Sequence, residues 1–199
     1  MIELKNLSFS YGDKEVLKEL HHTFPTQGIF AIMGGSGEGK TTLLRLLAGM
    51  EHPSCGRIES SHKKVAFAFQ EPRLLPWLNA AENLNFVLPA KAKKTDTVSA
   101  LLRDFELEDC ASKLPNALSG GMQQRLSLAR ALAVGADLLL LDEPFSALDA
   151  ALKERIAPLV KKANPKGLTV IVTHDANDAM LLGATVLNLK CCPVSTLTE

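Results

Sequence analysis

The sequence carries no surplus of charge. Its 199 residues contain 22 Lys and Arg against 22 Asp and Glu, so it offers no broad basic field of the kind that gathers nucleic acid or anionic lipid. It has no run of about eighteen uncharged apolar residues, which a membrane-spanning helix needs. Its start, MIELKNLSF, is charged where a secretory leader is apolar. These absences predict a cytoplasmic protein that reaches a membrane only through a partner. Cysteine is scarce: Cys55, Cys110, Cys191 and Cys192 have neither zinc-ligand spacing nor an evident redox pairing, and in a reducing compartment they read as structural or incidental. Internal repeats and low-complexity tracts are absent. A chain that is 46% hydrophobic can bury a real core, and its length suits one domain with an insertion better than two domains.

Against this background two glycine-bearing helix starts stand out. In IMGGSGEGKTTLL, Gly34, Gly39, Lys40 and Thr41 fit G-x-x-x-x-G-K-[ST], with Gly35, Ser36, Gly37 and Glu38 between them and Thr42 after. A strand-like Gly28–Met33 precedes the motif and a helix-like Lys40–Ala48, closed by Gly49, follows it, which is the setting the motif requires. Glycines let successive N–H groups turn toward phosphates, and the helix dipole adds positive potential. Lys40 then reaches the β- and γ-phosphates, and the Thr41 hydroxyl is placed for Mg²⁺. The second start is LSGGMQQRLSLARALA, where Ser119, Gly120 and Gly121 open a strong helix pattern. Glycine beside a helix is costly unless the backbone must approach something closely.

IELKNLSFSY and EVLKELHHTF alternate like antiparallel strands around a Gly12-Asp13 turn. RIESS and VAFAF add two short strands, giving a small β layer beside the phosphate loop. From Pro72 to about Pro115 helical patterns take over, at Ala80–Val87 and Thr95–Phe105. Strand signals return at Asp137–Leu141 and Leu168–Val172. Between them a helix begins near Asp149 and ends at Asn164-Pro165-Lys166-Gly167, with Pro158 expected to kink or split it. This alternation predicts an α/β fold with a mostly parallel sheet. The apolar run ending in Asp142-Glu143-Pro144 puts two carboxylates at a strand tip beside the phosphate loop. There Asp142 can hold Mg²⁺, and Glu143 can orient and deprotonate water; a solvated loop or a helix cap is the alternative. Thr173-His174-Asp175 brings an imidazole to the same edge, where His174 can hydrogen-bond a γ-phosphate.

Taken in order, GGSGEGKTT, the glutamine of AFAFQEP, LSGGMQQR, LLLLDEP, SALD and VTHD make the sequence resemble the nucleotide-binding subunit of an ATP-binding cassette (ABC) transporter over nearly its whole length. The resemblance implies a P-loop NTPase with a RecA-like sheet, a small antiparallel β layer and a helical insertion at about residues 72–117, all in one domain spanning 1–199. It implies ATP and Mg²⁺ as cofactors and a homodimer in which Ser119, Gly120 and Gly121 of one chain meet the γ-phosphate held by the other. It further implies that Gln70 contacts Mg²⁺ or the attacking water, that Asp149 links the two sites, and that Tyr11 stacks on adenine. QEPRLLPW is similar to ATPase subunits of nitrate, sulfonate and taurine importers, where this region abuts a membrane permease. Trp77, with Leu74, Leu75 and Pro76, is then a docking surface or, alternatively, a core tryptophan. A permease, a second ATPase subunit and a substrate-binding protein are the implied partners, with no nucleic acid. A soluble ABC ATPase acting on nucleic acid or ribosomes is the alternative function. Two departures from the family pattern stand out: Glu38, a carboxylate expected to repel triphosphate unless it faces solvent, and a short C-terminus.

Overall fold

The computed structural model describes residues 1–89, 95–190 and 195–198; Cys191 and Cys192 lie outside them. Strands β1 (Ile2–Tyr11) and β2 (Lys14–Phe24) form the expected hairpin, turning at Gly12 in a left-handed conformation. Ile2, Leu4, Leu7 and Phe9 from β1 and Leu17, Leu20 and Phe24 from β2 are buried in one core; simple alternation is broken by register shifts between Leu4 and Leu7 and between Leu7 and Phe9, with Asn6 and Glu19 at positive φ. β4 (Cys55–Ser60) completes this antiparallel sheet in the order β2-β1-β4.

A second sheet contains β3 (Gly28–Met33), β5 (Val65–Ala68), β6 (Leu138–Asp142), β7 (Leu168–Val172), β8 (Thr185–Lys190) and β9 (Thr196–Thr198). Its order is β5-β6-β7-β3-β8-β9. Every pairing in it is parallel except β8 with β9. This corrects one sequence expectation: VAFAF joins the large sheet and not the small layer. The cause is a long-range clip, because the Asp137 carboxylate accepts the N–H groups of Lys63 (3.0 Å) and Lys64 (2.8 Å). That contact sets Val65 opposite Leu138 and Ala68 opposite Leu141.

Helix α1 (Lys40–Leu47) follows β3, and α2 (Ala80–Val87), α3 (Thr95–Asp104) and α4 (Gly120–Ala133) lie between β5 and β6. α5 (Ala150–Ala163) and α6 (Ala176–Leu182) flank β7 in the chain. α5 is one helix, not two, although Pro158 lies inside it. Pro158 and Glu154 are both exposed, so the Glu154 carbonyl that loses its N–H partner can turn to water. β6 shows how the interior is divided: Leu139 and Leu141 pack with the helices α2 to α5, whereas Leu138 and Leu140 pack with α1 and the small sheet. A parallel strand buried on both faces reads as a continuous apolar run for this reason. Cys110 sits in the first of these cores and Cys55 is exposed; both are free thiols.

Candidate nucleotide site

The phosphate loop leaves β3 and enters α1 with Gly37 and Gly39 in left-handed conformations, at φ 83° and 85°. Only glycine adopts these without strain, and such a conformation lets successive N–H groups of a loop turn toward one anion. The Lys40 ammonium donates to the carbonyls of Gly34 (2.9 Å) and Gly35 (2.6 Å). It thus folds over its own loop, poised for an anion. A cleft of about 330 Å³ opens here. The hairpin contributes Tyr11, Lys14 and Val16, and the loop contributes Ser36, Gly37, Gly39, Lys40, Thr41 and Thr42. Gln70, Asp142, Glu143 and Val172, from the strand ends, complete the lining.

Gly34, Gly35 and Glu38 face a different cleft, behind the loop, with Asn188, Leu189, Lys190 and Thr198. The Glu38 carboxylate accepts the Gly35 N–H. Half-buried, it lines the rear cleft and not the triphosphate cleft, so the expected repulsion is avoided by folding back; it braces the loop from the rear.

Asp142 is 2% exposed, and its Oδ1 accepts the Thr41 hydroxyl at 3.1 Å. Burial raises its pKa, and neighbouring Glu143 adds to that, while the Thr41 hydrogen bond, Arg45 and Lys40 oppose. A buried carboxylate beside a hydroxyl is a hard-oxygen site that gains from a divalent cation. Among the described residues no group of three His, Cys, Asp or Glu could hold a metal. Mg²⁺ fits this two-ligand arrangement because it keeps several waters and takes phosphate oxygens.

Glu143 has φ 49°, rare for a residue with a side chain and costing on the order of 1–3 kcal/mol. It is held there by its N–H to Val172 O (2.9 Å) and by the Ser146 hydroxyl on its carbonyl (2.9 Å). Its carboxylate oxygens lie 3.0 and 2.9 Å from His174 Nδ1. The Glu143 contact raises the His174 pKa above 6.5. The protonated ring is therefore favoured in the folded chain. Its stabilising contribution is complete below about pH 6.5 and is lost as pH rises through the higher folded value. In the NMR titration of the histidines, His174 is expected to have a midpoint above 6.5, falling toward 6.5 in Glu143→Gln. An unchanged midpoint in the variant would remove the contact.

Ser119 lies outside this cleft. It caps α4, its hydroxyl accepting the Met122 N–H at 3.3 Å. Ser119 and Gly120 are exposed, and a Cβ built on Gly120 would meet nothing within 4 Å. Packing inside the chain therefore does not explain that glycine. Asp149 caps α5, its Oδ1 accepting the Leu152 N–H at 2.9 Å.

The segment after Gln70 is pinned by residues the sequence reading missed. Asn83, fully buried, donates to the carbonyls of Leu75 (3.2 Å), Leu78 (2.8 Å) and Asn79 (3.1 Å) and accepts the Leu75 N–H (2.9 Å). Arg130, reaching across from α4, donates to Arg73 O. Trp77 is left 71% exposed, and Phe86 on α2 65% exposed, so Trp77 is not a core residue. Asn83→Ala leaves several buried backbone groups unpaired and should cost about 2–3 kcal/mol in urea denaturation. Stability within about 0.5 kcal/mol of wild type would contradict the network.

A phosphate loop, a buried carboxylate on the neighbouring strand tip and a histidine against the next acid define a nucleoside triphosphatase of the α/β class. The chain belongs to the ABC transporter family, whose model matches residues 17–146. It is similar to the aliphatic sulfonates import ATP-binding protein SsuB of Corynebacterium glutamicum, 43% identical over 94% of this chain and 79% of that one. SsuB 2 of Pseudomonas syringae pv. tomato is 40% identical over 96% and 82%. Among solved structures, the dimeric post-hydrolysis state of the ATP-binding cassette MJ0796 bound to ADP and Pi superposes with a TM-score of 0.82. It is 32% identical over 96% of this chain and 94% of that chain. The chain is thus an ATPase of this family that uses ATP and Mg²⁺. No helix among the described residues is long and apolar enough to cross a membrane.

Proposed function

We propose that this chain is the ATP-hydrolysing subunit of an importer for aliphatic sulfonates. It would work as a homodimer at the inner face of the membrane, on a permease that a substrate-binding protein supplies. The observation that carries the dimer is the separation of Ser119 and Gly120 from the cleft, with Gly120 unexplained by contacts of its own chain. A helix start with free N–H groups suits a phosphate presented by a second copy. The cassette is read as one domain over 1–199, with residues 72–117 as its helical insertion.

In the cleft, Lys40 and the loop N–H groups hold the phosphates, and Tyr11, 44% exposed, offers its ring to the adenine. Thr41, Asp142 and Gln70 would hold Mg²⁺, which neutralises the charge developing on the phosphates. Glu143 takes a proton from the attacking water, and His174, held on Glu143, reaches the γ-phosphate. Asp149 faces the partner's site.

Sulfonate as cargo rests on the relatives' names together with the LLPW stretch; equal numbers of basic and acidic residues disfavour the nucleic-acid alternative. Trp77, exposed on a segment braced by Asn83, is the permease contact. With the permease and binding protein in proteoliposomes, an alkanesulfonate should raise ATPase activity where nitrate does not. Trp77→Ala should keep ATP binding and weaken permease association by about 2 kcal/mol or more. Stimulation by nitrate alone would refute the cargo, and undiminished association of the variant would refute the docking surface.

A further inference from the structure

His174 has an exposed ring, 72% by side chain, on a loop between β7 and α6. An exposed ring keeps one position only if the backbone beside it is fixed. Here both flanking residues belong to one knot. Thr173, fully buried, donates its hydroxyl to Asp178 Oδ2 (2.8 Å) and accepts the Asp175 N–H (3.1 Å). Asp178, only 2% exposed, lies on α6. The ammonium of Lys153 closes the knot, donating to Asp178 Oδ1 (2.7 Å) and to Asp175 Oδ2 (2.9 Å). Lys153 belongs to the first turn of α5, its N–H donating to Asp149 O at 2.9 Å.

We propose that Lys153 is a positioning residue for hydrolysis: it ties the His174 loop to the turn capped by Asp149, so that His174 stays against Glu143. The proposal rests on the reading of Glu143 and His174 given above. Its physics is the cost of a buried carboxylate without its cation. With Lys153 gone, the Asp178 carboxylate loses its cation and, among the described residues, is left with the Thr173 hydroxyl, so it draws away toward water. That movement loosens Thr173 and Asp175, the two residues that frame the imidazole. The same tie joins the segment assigned to the partner's site, at Asp149, to the group that meets the γ-phosphate. A displacement of one is therefore felt by the other.

The test uses the full-length chain, with steady-state ATPase kinetics and the NMR titration of His174. Lys153→Met should lower kcat about tenfold while changing the KM for ATP by less than about twofold, because geometry and not nucleotide binding is lost. It should also bring the His174 midpoint down toward 6.5, as the ring leaves Glu143. Lys153→Arg, which keeps a charged donor, should restore most of both. If the Met variant does not fold, Asp175→Asn replaces it. That side chain is partly exposed and its oxygen still accepts the Asn177 N–H that caps α6, so folding is retained while one anchor weakens, and both readouts should shift in the same direction. If Lys153 merely stabilises the fold, the Met variant lowers the melting temperature but leaves kcat and the midpoint at wild-type values, and that result would overturn the proposal. His174→Ala separates the two readings: if it keeps full kcat, the role of His174 falls, while the midpoint in the Lys153 variants still decides whether the tie exists.

Discussion

Glu143→Gln is expected to keep ATP binding while cutting steady-state phosphate release by about 10²–10⁴-fold, the usual worth of a general base. The substitution isolates the chemistry well. Glutamine has nearly the same size and, at φ 49°, carries the same backbone cost, so the turn after β6 is not relieved or further strained. Its side-chain oxygen can still accept from His174 Nδ1, which keeps the pair in contact. What disappears is the carboxylate that takes the proton from water. ATP then persists between two chains, and gel filtration with ATP should show a dimer that outlives the wild-type one. Hydrolysis near the wild-type rate would remove Glu143 from the role of base.

The other large effect follows from a site divided between two copies. Lys40→Ala destroys the phosphate loop, and Ser119→Arg puts a bulky cation where the partner's nucleotide would enter, so either homodimer should be nearly inactive. A dimer that joins one of each differs: the Lys40→Ala chain lends its intact Ser119 to the other chain's intact Lys40, and one complete site of two is rebuilt. Fused in tandem, this pair should recover measurable ATPase activity, though coupling between the sites can hold it well below half. A tandem carrying both substitutions in one half should stay near background. If that same-half tandem is the more active, Ser119 works on its own chain's nucleotide and the divided site is wrong.

Local chemistry made much of this legible in advance. The phosphate loop, the Asp142-Glu143 strand tip and the His174 edge each announce themselves by residue type and spacing over a few positions, and their convergence in space follows from a parallel sheet, whose strand ends share one edge. Pairings made across long stretches of chain were not legible. The placement of β5 depends on Asp137 gripping Lys63 and Lys64 some seventy residues away. Asn83 reads as an ordinary polar residue in a helix until its amide is seen holding Leu75, Leu78 and Asn79. For Glu38 the sequence gives the charge but leaves the direction open, and that direction is set by the nearby Gly35 N–H. The short α6 has too few residues for a periodic pattern, and its start is marked only by the Asp175 cap.

The division of the interior by β6 also bears on how such a chain can diverge. Leu84 and Ala80, beneath the Trp77 segment, pack in one core, whereas Leu43, Leu44, Leu46 and Leu47, behind the phosphate loop, pack in the other. If the Trp77 segment is the docking surface proposed above, substitutions that refit it to a new permease are absorbed on the first side of the sheet. Effects on well-separated sites tend to add with little coupling, so the packing behind the triphosphate need not be renegotiated each time. With Trp77 in the proposed docking role, partner choice and the packing of the phosphate loop are thus inherited on opposite sides of one strand, free to change at different rates.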